Sequence, residues 1–217
     1  MENKLNISNF KHLLILLVLL FIYTFICAFS YANAVSTNIQ DSVFRLHVIA
    51  NSDSDEDQNL KYIVRDKVLE YINSISKNQY SKKDVIKLAN ENINEIKKIA
   101  ENTIYENGYN YDVKLNIGNF AFPTKTYGDI SFPAGYYDAL KIEIGNAKGQ
   151  NWWCVMFPPL CFVDVTSGVV PEESKEIIKE NLSEEEYKLV SENNNEISFK
   201  FKIVEMFQNI GIKLAQS

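Results

Sequence analysis

The sequence predicts an α+β fold: a small, mainly antiparallel sheet packed with two N-terminal amphipathic helices, followed by C-terminal helices. Three observations carry this expectation. Between Leu60 and Ile104 apolar residues recur at intervals of three and four, the period of a helix with one buried face. On either side, at residues 43–50, 111–117 and 140–144, the period falls to two, which is that of a strand. Helix-opening signals return after Pro171, and no internal repeat breaks the order.

The chain begins with Lys4 and Lys11, then holds seventeen uncharged residues from Leu13 to Phe29, then Ala32-Asn33-Ala34. A basic start, an apolar middle and a small-x-small ending describe a secretory leader cut after Ala34, with Ala32 and Ala34 as the recognised small residues. The same segment is long enough to stay uncut as a membrane anchor. Residues 1–34 are therefore read as a leader or anchor, and 35–217 as a single exported domain. Its 183 residues suffice to bury roughly 70% of the unfolded surface.

Lys4, Lys11 and Glu2 belong to the leader, so the exported part carries 20 basic against 27 acidic residues. That excess repels phosphate backbones and anionic lipid heads, so nucleic acid is not an expected partner. Membrane contact is expected only through the leader.

In the exported part, the first expected element is the strand 43–50. It sends Phe44, Leu46, Val48 and Ala50 to one face and Val43, Arg45, His47 and Ile49 to the other, which is read as open. The polar run 51–57 ends it. Ser54 with Asp57 three residues on opens a helix whose stripe is Leu60, Val64, Val68, Ile72 and Ile75. Ser81 with Asp84 opens a second, single helix with the stripe Val85, Ala89, Ile93, Ile96, Ala100 and Ile104, closed by Asn107-Gly108. Tyr111, Val113, Leu115 and Ile117 then mark a strand. Residues 120–137, rich in Pro, Gly and aromatics, read as an ordered loop. Residues 140–144 and 152–157 read as the two arms of a hairpin. Acids after Pro171 and after Ser183 place two short helices, each with negative charge at its positive end. A polar linker at 192–196 leads to a last helix from about Phe201.

Few residues invite chemistry. Asp53, Asp55 and Asp57 alternate like calcium-loop ligands, but Gln58 stands where that loop needs glycine and Val64 where it needs a bidentate glutamate. His47 is the only histidine outside the leader, which rules out sites built on two or three. A Ser-His or Cys-His pair is arithmetically open, but no nucleophile motif accompanies it. Cys27 follows Phe25 and Ile26, too large for a lipoprotein cleavage site. Cys154 and Cys161 are left either as buried free thiols or as a disulfide, with Pro158 and Pro159 able to turn the chain between them. No catalytic, cofactor-binding or metal-ligating residue is assigned.

Two segments carry a specific resemblance. The first is FRLHVIANSDSDEDQNLKYIVRDKVL, Phe44 to Leu69; the second, Gly118 to Asp164, contains FPTKTYGDISFPAG and NWWCVMFPPLCFVD. Together they resemble the stage II sporulation protein R family, with a looser likeness through SEEEYKLVSE and FKIVEMFQ. The resemblance implies a protein made in the forespore and exported into the space between the forespore and mother-cell membranes. There it implies activation of a membrane-embedded aspartyl protease, the sigma-E processing peptidase, which matures pro-sigma-E. On that reading the chain is a ligand and not an enzyme. Its candidate contacts are Arg45, His47, Asn51, Asp53, Phe122 and Tyr127, chosen for polarity and expected exposure. A peptidoglycan hydrolase and a carbohydrate-binding module of the spore envelope are the rival classes.

Overall fold

A computed structural model describes residues 7–77, 81–161 and 170–191. The chain divides into two units, Met1–Thr37 and Asn38–Ser217. The expected linker at 192–196, the helix from Phe201 and the Phe162–Asp164 end of the second matching string lie outside the described residues.

The first unit holds most of α1 (Ile7–Ser42), a helix whose apolar stretch is long enough to cross a membrane by length and composition. Its large side chains are exposed, Leu16 at 65% and Phe21 at 71%, and the helix is compatible with a signal peptide or membrane anchor. Ala32-Asn33-Ala34 lies within the helix. The helix also continues past the expected domain start. Its last residues, from Asn38 to Ser42, belong to the second unit, where Ile39 is fully buried. The first ordered element of that unit is therefore the end of a helix, not the strand.

The strand follows at once as β1 (Phe44–Ile49). Next come α2 (Asp55–Ser76), α3 (Lys82–Glu91) and α4 (Ile93–Glu106). Ser54 caps α2 by accepting the Asp57 N–H at 3.2 Å, as the spacing predicts. The expected second helix is broken at Asn92. Its backbone N–H and its side-chain Nδ2 both donate to the Leu88 carbonyl, and Tyr71 on α2 donates to its Oδ1 at 3.0 Å. The apolar stripe runs on in phase across the break, so periodicity does not report it. At the end of α4, Gly108 takes φ +85°. Its N–H donates to Tyr105 and that of Tyr109 to Ile104, the paired bonds of a glycine C-cap.

The remaining elements are β2 (Val113–Phe122), β3 (Lys125–Tyr127), β4 (Ile130–Phe132), β5 (Gly135–Ile144), β6 (Asn151–Phe157), α5 (Glu172–Asn181) and α6 (Glu184–Ser191). The aromatic segment expected as loop contains a two-stranded ribbon, β3–β4. Gly128 at φ +57° supplies the left-handed first position of its two-residue turn. α6 opens with a full capping box: Ser183 accepts the Glu186 N–H, and the Glu186 carboxylate accepts the Ser183 N–H at 2.8 Å.

The main sheet has the order β2-β5-β1-β6. β5 and β6 do not form a hairpin with each other, as the sequence suggested, because β1 lies between them, parallel to β5 and antiparallel to β6. All six residues of β1 are buried, so the centre of the sheet is where this strand loses most water contact. The other pairings are antiparallel, and the fold is α+β. One face of the sheet, with Phe44, Leu46, Val48, Leu140, Ile142 and Cys154, forms a core with the buried stripes of α2, α3 and α4.

Candidate functional site

The face opposite that core carries the polar and aromatic side chains. Register places Arg45 beside Ala139 and Val155, and His47 beside Lys141 and Trp153. β2 contributes Phe120 opposite Tyr137, Asn116 opposite Lys141 and Lys114 opposite Glu143.

Arg45 is not on an open face; it is fully buried. Its guanidinium carbon lies 4.2 Å from the Phe122 ring centre and 4.6 Å from that of Tyr137, and its Nη2 donates to the Tyr127 hydroxyl at 2.9 Å. Tyr127 belongs to the β3–β4 ribbon, and it donates in turn to the Trp153 carbonyl at 3.1 Å. The ribbon is thus fastened over the near end of the face that the sequence read as uncovered. Two aromatic faces and one hydroxyl hold the charge, with no carboxylate paired to it among the described residues. Arg45 Nε and Nη1 are buried without a hydrogen-bond partner.

His47 is also buried, at 9% exposure. Its ring stacks on Trp153 with centres 5.6 Å apart and meets Phe122 edge-on at 5.8 Å. Nε2 faces Asn151 Oδ1 at 2.7 Å, which puts the proton on Nε2 and leaves Nδ1 a buried lone pair. Burial is the main cause that lowers its pKa below 6.5; the Asn151 hydrogen bond opposes it, and the Lys141 charge adds to it. Among the described residues the His47 ring hydrogen-bonds only to Asn151, with no hydroxyl or thiol at Nδ1. Cys154 and Cys161 are joined in a disulfide, so neither thiol is available to it.

The structure therefore brings Arg45, His47, Phe122 and Tyr127 into one cluster. Asn51 and Asp53 lie elsewhere, at the end of β1. Asn51 Oδ1 accepts the Asn146 N–H at 2.9 Å, and its Nδ2 donates to Asp57 at 2.8 Å, while Ser52 donates to the same carboxylate. Asn51 is a brace of this turn, and Asp53 is exposed beside it. Burial of Asp57 works to raise its pKa, but hydrogen bonds from Ser52, Asn51 and Tyr111 together carry it below 3.8. Sequence reasoning missed Tyr137, Asn151 and Lys141, which belong to the cluster. The alternation of β5 held the signal for two of them, since Tyr137, Ala139, Lys141 and Glu143 share one face. Trp152 and Trp153 point to opposite faces, yet both are half-buried and both lie against a cation, Arg65 at 4.4 Å and Lys125 at 4.5 Å.

All of these residues fall inside the region that matches a known family. The family described as stage II sporulation protein R matches residues 40–167. The chain belongs to the stage II sporulation protein R family. A relative named stage II sporulation protein R, from Bacillus subtilis (strain 168), is 43% identical over 143 residues. That match covers 65% of this chain and 64% of the relative, so the alignment spans a little under two thirds of the relative's length. No solved structure matches the chain. The family match takes in β1 to β6, α2 to α4 and the disulfide, while most of α1, and all of α5 and α6, lie outside it.

Proposed function

We propose that this protein is an exported sporulation signal: made in the forespore, it acts in the space between the two membranes and activates a membrane-embedded aspartyl protease, the sigma-E processing peptidase. Membership of the stage II sporulation protein R family is the observation that carries this reading. The apolar N-terminal helix supports delivery across or into a membrane, with residues 1–34 as leader or tether. The joined cysteines and the amide-bonded His47 support a ligand in preference to a hydrolase.

A ligand activates only by binding the active state of its partner more tightly than the inactive one. Moving such an equilibrium from about 1:99 to about 99:1 takes roughly 5.5 kcal/mol of differential binding, well within the reach of a single well-packed protein interface. The test is reconstitution in a non-sporulating bacterium that expresses this chain, the cognate membrane protease and pro-sigma-E. Shortening of pro-sigma-E that requires this chain, and fails with a leaderless version, is the expected result. Absence of shortening with all three proteins present and this chain exported would refute the proposal.

A further inference from the structure

We infer that the face of the sheet opposite the helical core is the surface that meets the partner, and that it receives a carboxylate-rich segment of that protein. The inference rests on the signalling reading above and adds the surface and the chemistry.

Charge is the first argument. The chain as a whole is acidic, with 28 Asp and Glu against 22 Lys and Arg. On this face the balance reverses. Arg45, Lys114 and Lys141 project from the sheet, and Lys125 reaches over Trp153 from the ribbon. Glu143 is the one acid the sheet register places among them, 2.8 Å from Lys141. Arg45 beneath them has no carboxylate of its own among the described residues, and a cation held among aromatic rings is weakly screened. Among the residues that the sheet register and the ribbon bring to this face, basic groups thus outnumber acidic ones, the reverse of the chain as a whole.

Unmet hydrogen bonds supply the second argument. Arg45 Nε, Arg45 Nη1 and Trp153 Nε1 are buried donors without acceptors. Buried donors in native proteins are nearly always paired, and here three without partners lie on one face. The one unmet buried acceptor on this face is His47 Nδ1, so unmet donors outnumber unmet acceptors there, and a carboxylate brings two oxygens able to take several N–H groups each. Trp153, Phe120 and Tyr127, all half-buried, add flat apolar area of the kind that anchors interfaces.

The test uses the full chain in the reconstituted processing assay. Lys125→Glu with Lys141→Glu should lower the rate of pro-sigma-E shortening at least ~10-fold, and the Gln pair at the same positions should fall between it and wild type. Lys97→Glu with Lys98→Glu, the same charge change on exposed α4, should leave the rate at the wild-type level. Blots of this chain in each strain, and protease resistance of the purified variants, separate loss of contact from loss of fold. Wild-type processing by a folded Lys125→Glu/Lys141→Glu protein would overturn the inference while leaving the signalling role intact. So would an equal loss from the α4 pair, which would make net charge, not this face, the cause. No processing by the wild-type chain would remove the signalling reading and this surface together.

Discussion

Arg45 and Tyr127 are 82 positions apart in the chain, and a 2.9 Å hydrogen bond from the guanidinium to the phenol joins them. That bond links the centre of the sheet to the ribbon that covers it. The same hydroxyl also donates to the Trp153 carbonyl, so one side chain of the ribbon touches two strands.

Arg45→Ala should cost about 2–4 kcal/mol of stability, because it empties the space between Phe122 and Tyr137 and leaves Tyr127 without its donor. Arg45→Met fills most of that volume without a charge and should cost less, within about 1.5 kcal/mol. Urea titration of the purified chains measures both. Equal midpoints for Arg45→Ala and wild type would mean that the aromatic enclosure contributes nothing.

His47 makes stability depend on pH above the carboxylate range. Its folded pKa lies below 6.5, so on acidification the unfolded chain takes up the proton first. The stability due to the neutral ring is therefore full above about pH 6.5 and is lost as pH falls toward and through the folded value. The urea midpoint should drop between about pH 7.5 and pH 5.5 in the wild type and drop less in His47→Gln. Parallel curves would rule out the histidine as the source.

Asp57 governs part of the acid limb below that. Its folded pKa is depressed, so its contribution is present above about pH 3.9 and lost as pH falls through the folded value. Asp57→Asn should lower stability at neutral pH and flatten the fall below about pH 4. The fall should not vanish, because Asp129, Asp138 and Glu186 are shifted in the same direction. An acid limb as steep as that of the wild type would show that the bonds from Asn51 and Ser52 do not depend on ionisation.

The Cys154–Cys161 disulfide closes a short loop, with the two residues seven apart. Chain-entropy arguments give a loop of that length about 2–3 kcal/mol. Thermal melts with and without reductant should differ by that amount for the wild type, and Cys154→Ser/Cys161→Ser should melt with the reduced form in both. A reductant-independent melt would contradict the pairing.

The sequence made the helices legible because their signals are local. Ser54, Ser81, Gly108 and Ser183 each act within a turn of their own position, and all four do what their spacing predicts. It hid the break at Asn92, across which the apolar stripe runs on in phase and where Tyr71 from another helix bonds the Asn92 side chain. Strand order was hidden for a like reason. The alternation in β5 and β6 says which residues share a face but not which strand lies between them. The site suffered most: Arg45 and His47 read as exposed because they are polar, and the rings that enclose them come from Phe122, Tyr137 and Trp153, distant in sequence. The ribbon escaped notice because its strands are three residues each, too short for a period to show.

The place of β1 between β5 and β6 also sets an order of events. Arg45 leaves the ribosome long before Ala139 and Val155, the two residues it must lie between. The two strands that β1 pairs with, β5 and β6, both follow α2, α3 and α4, which pack on one face of the sheet. The four-stranded sheet is therefore complete only once β6 has been made, through pairings distant in sequence. Until Phe157 is available opposite Phe44, β1 lacks its antiparallel partner and the sheet is one strand short.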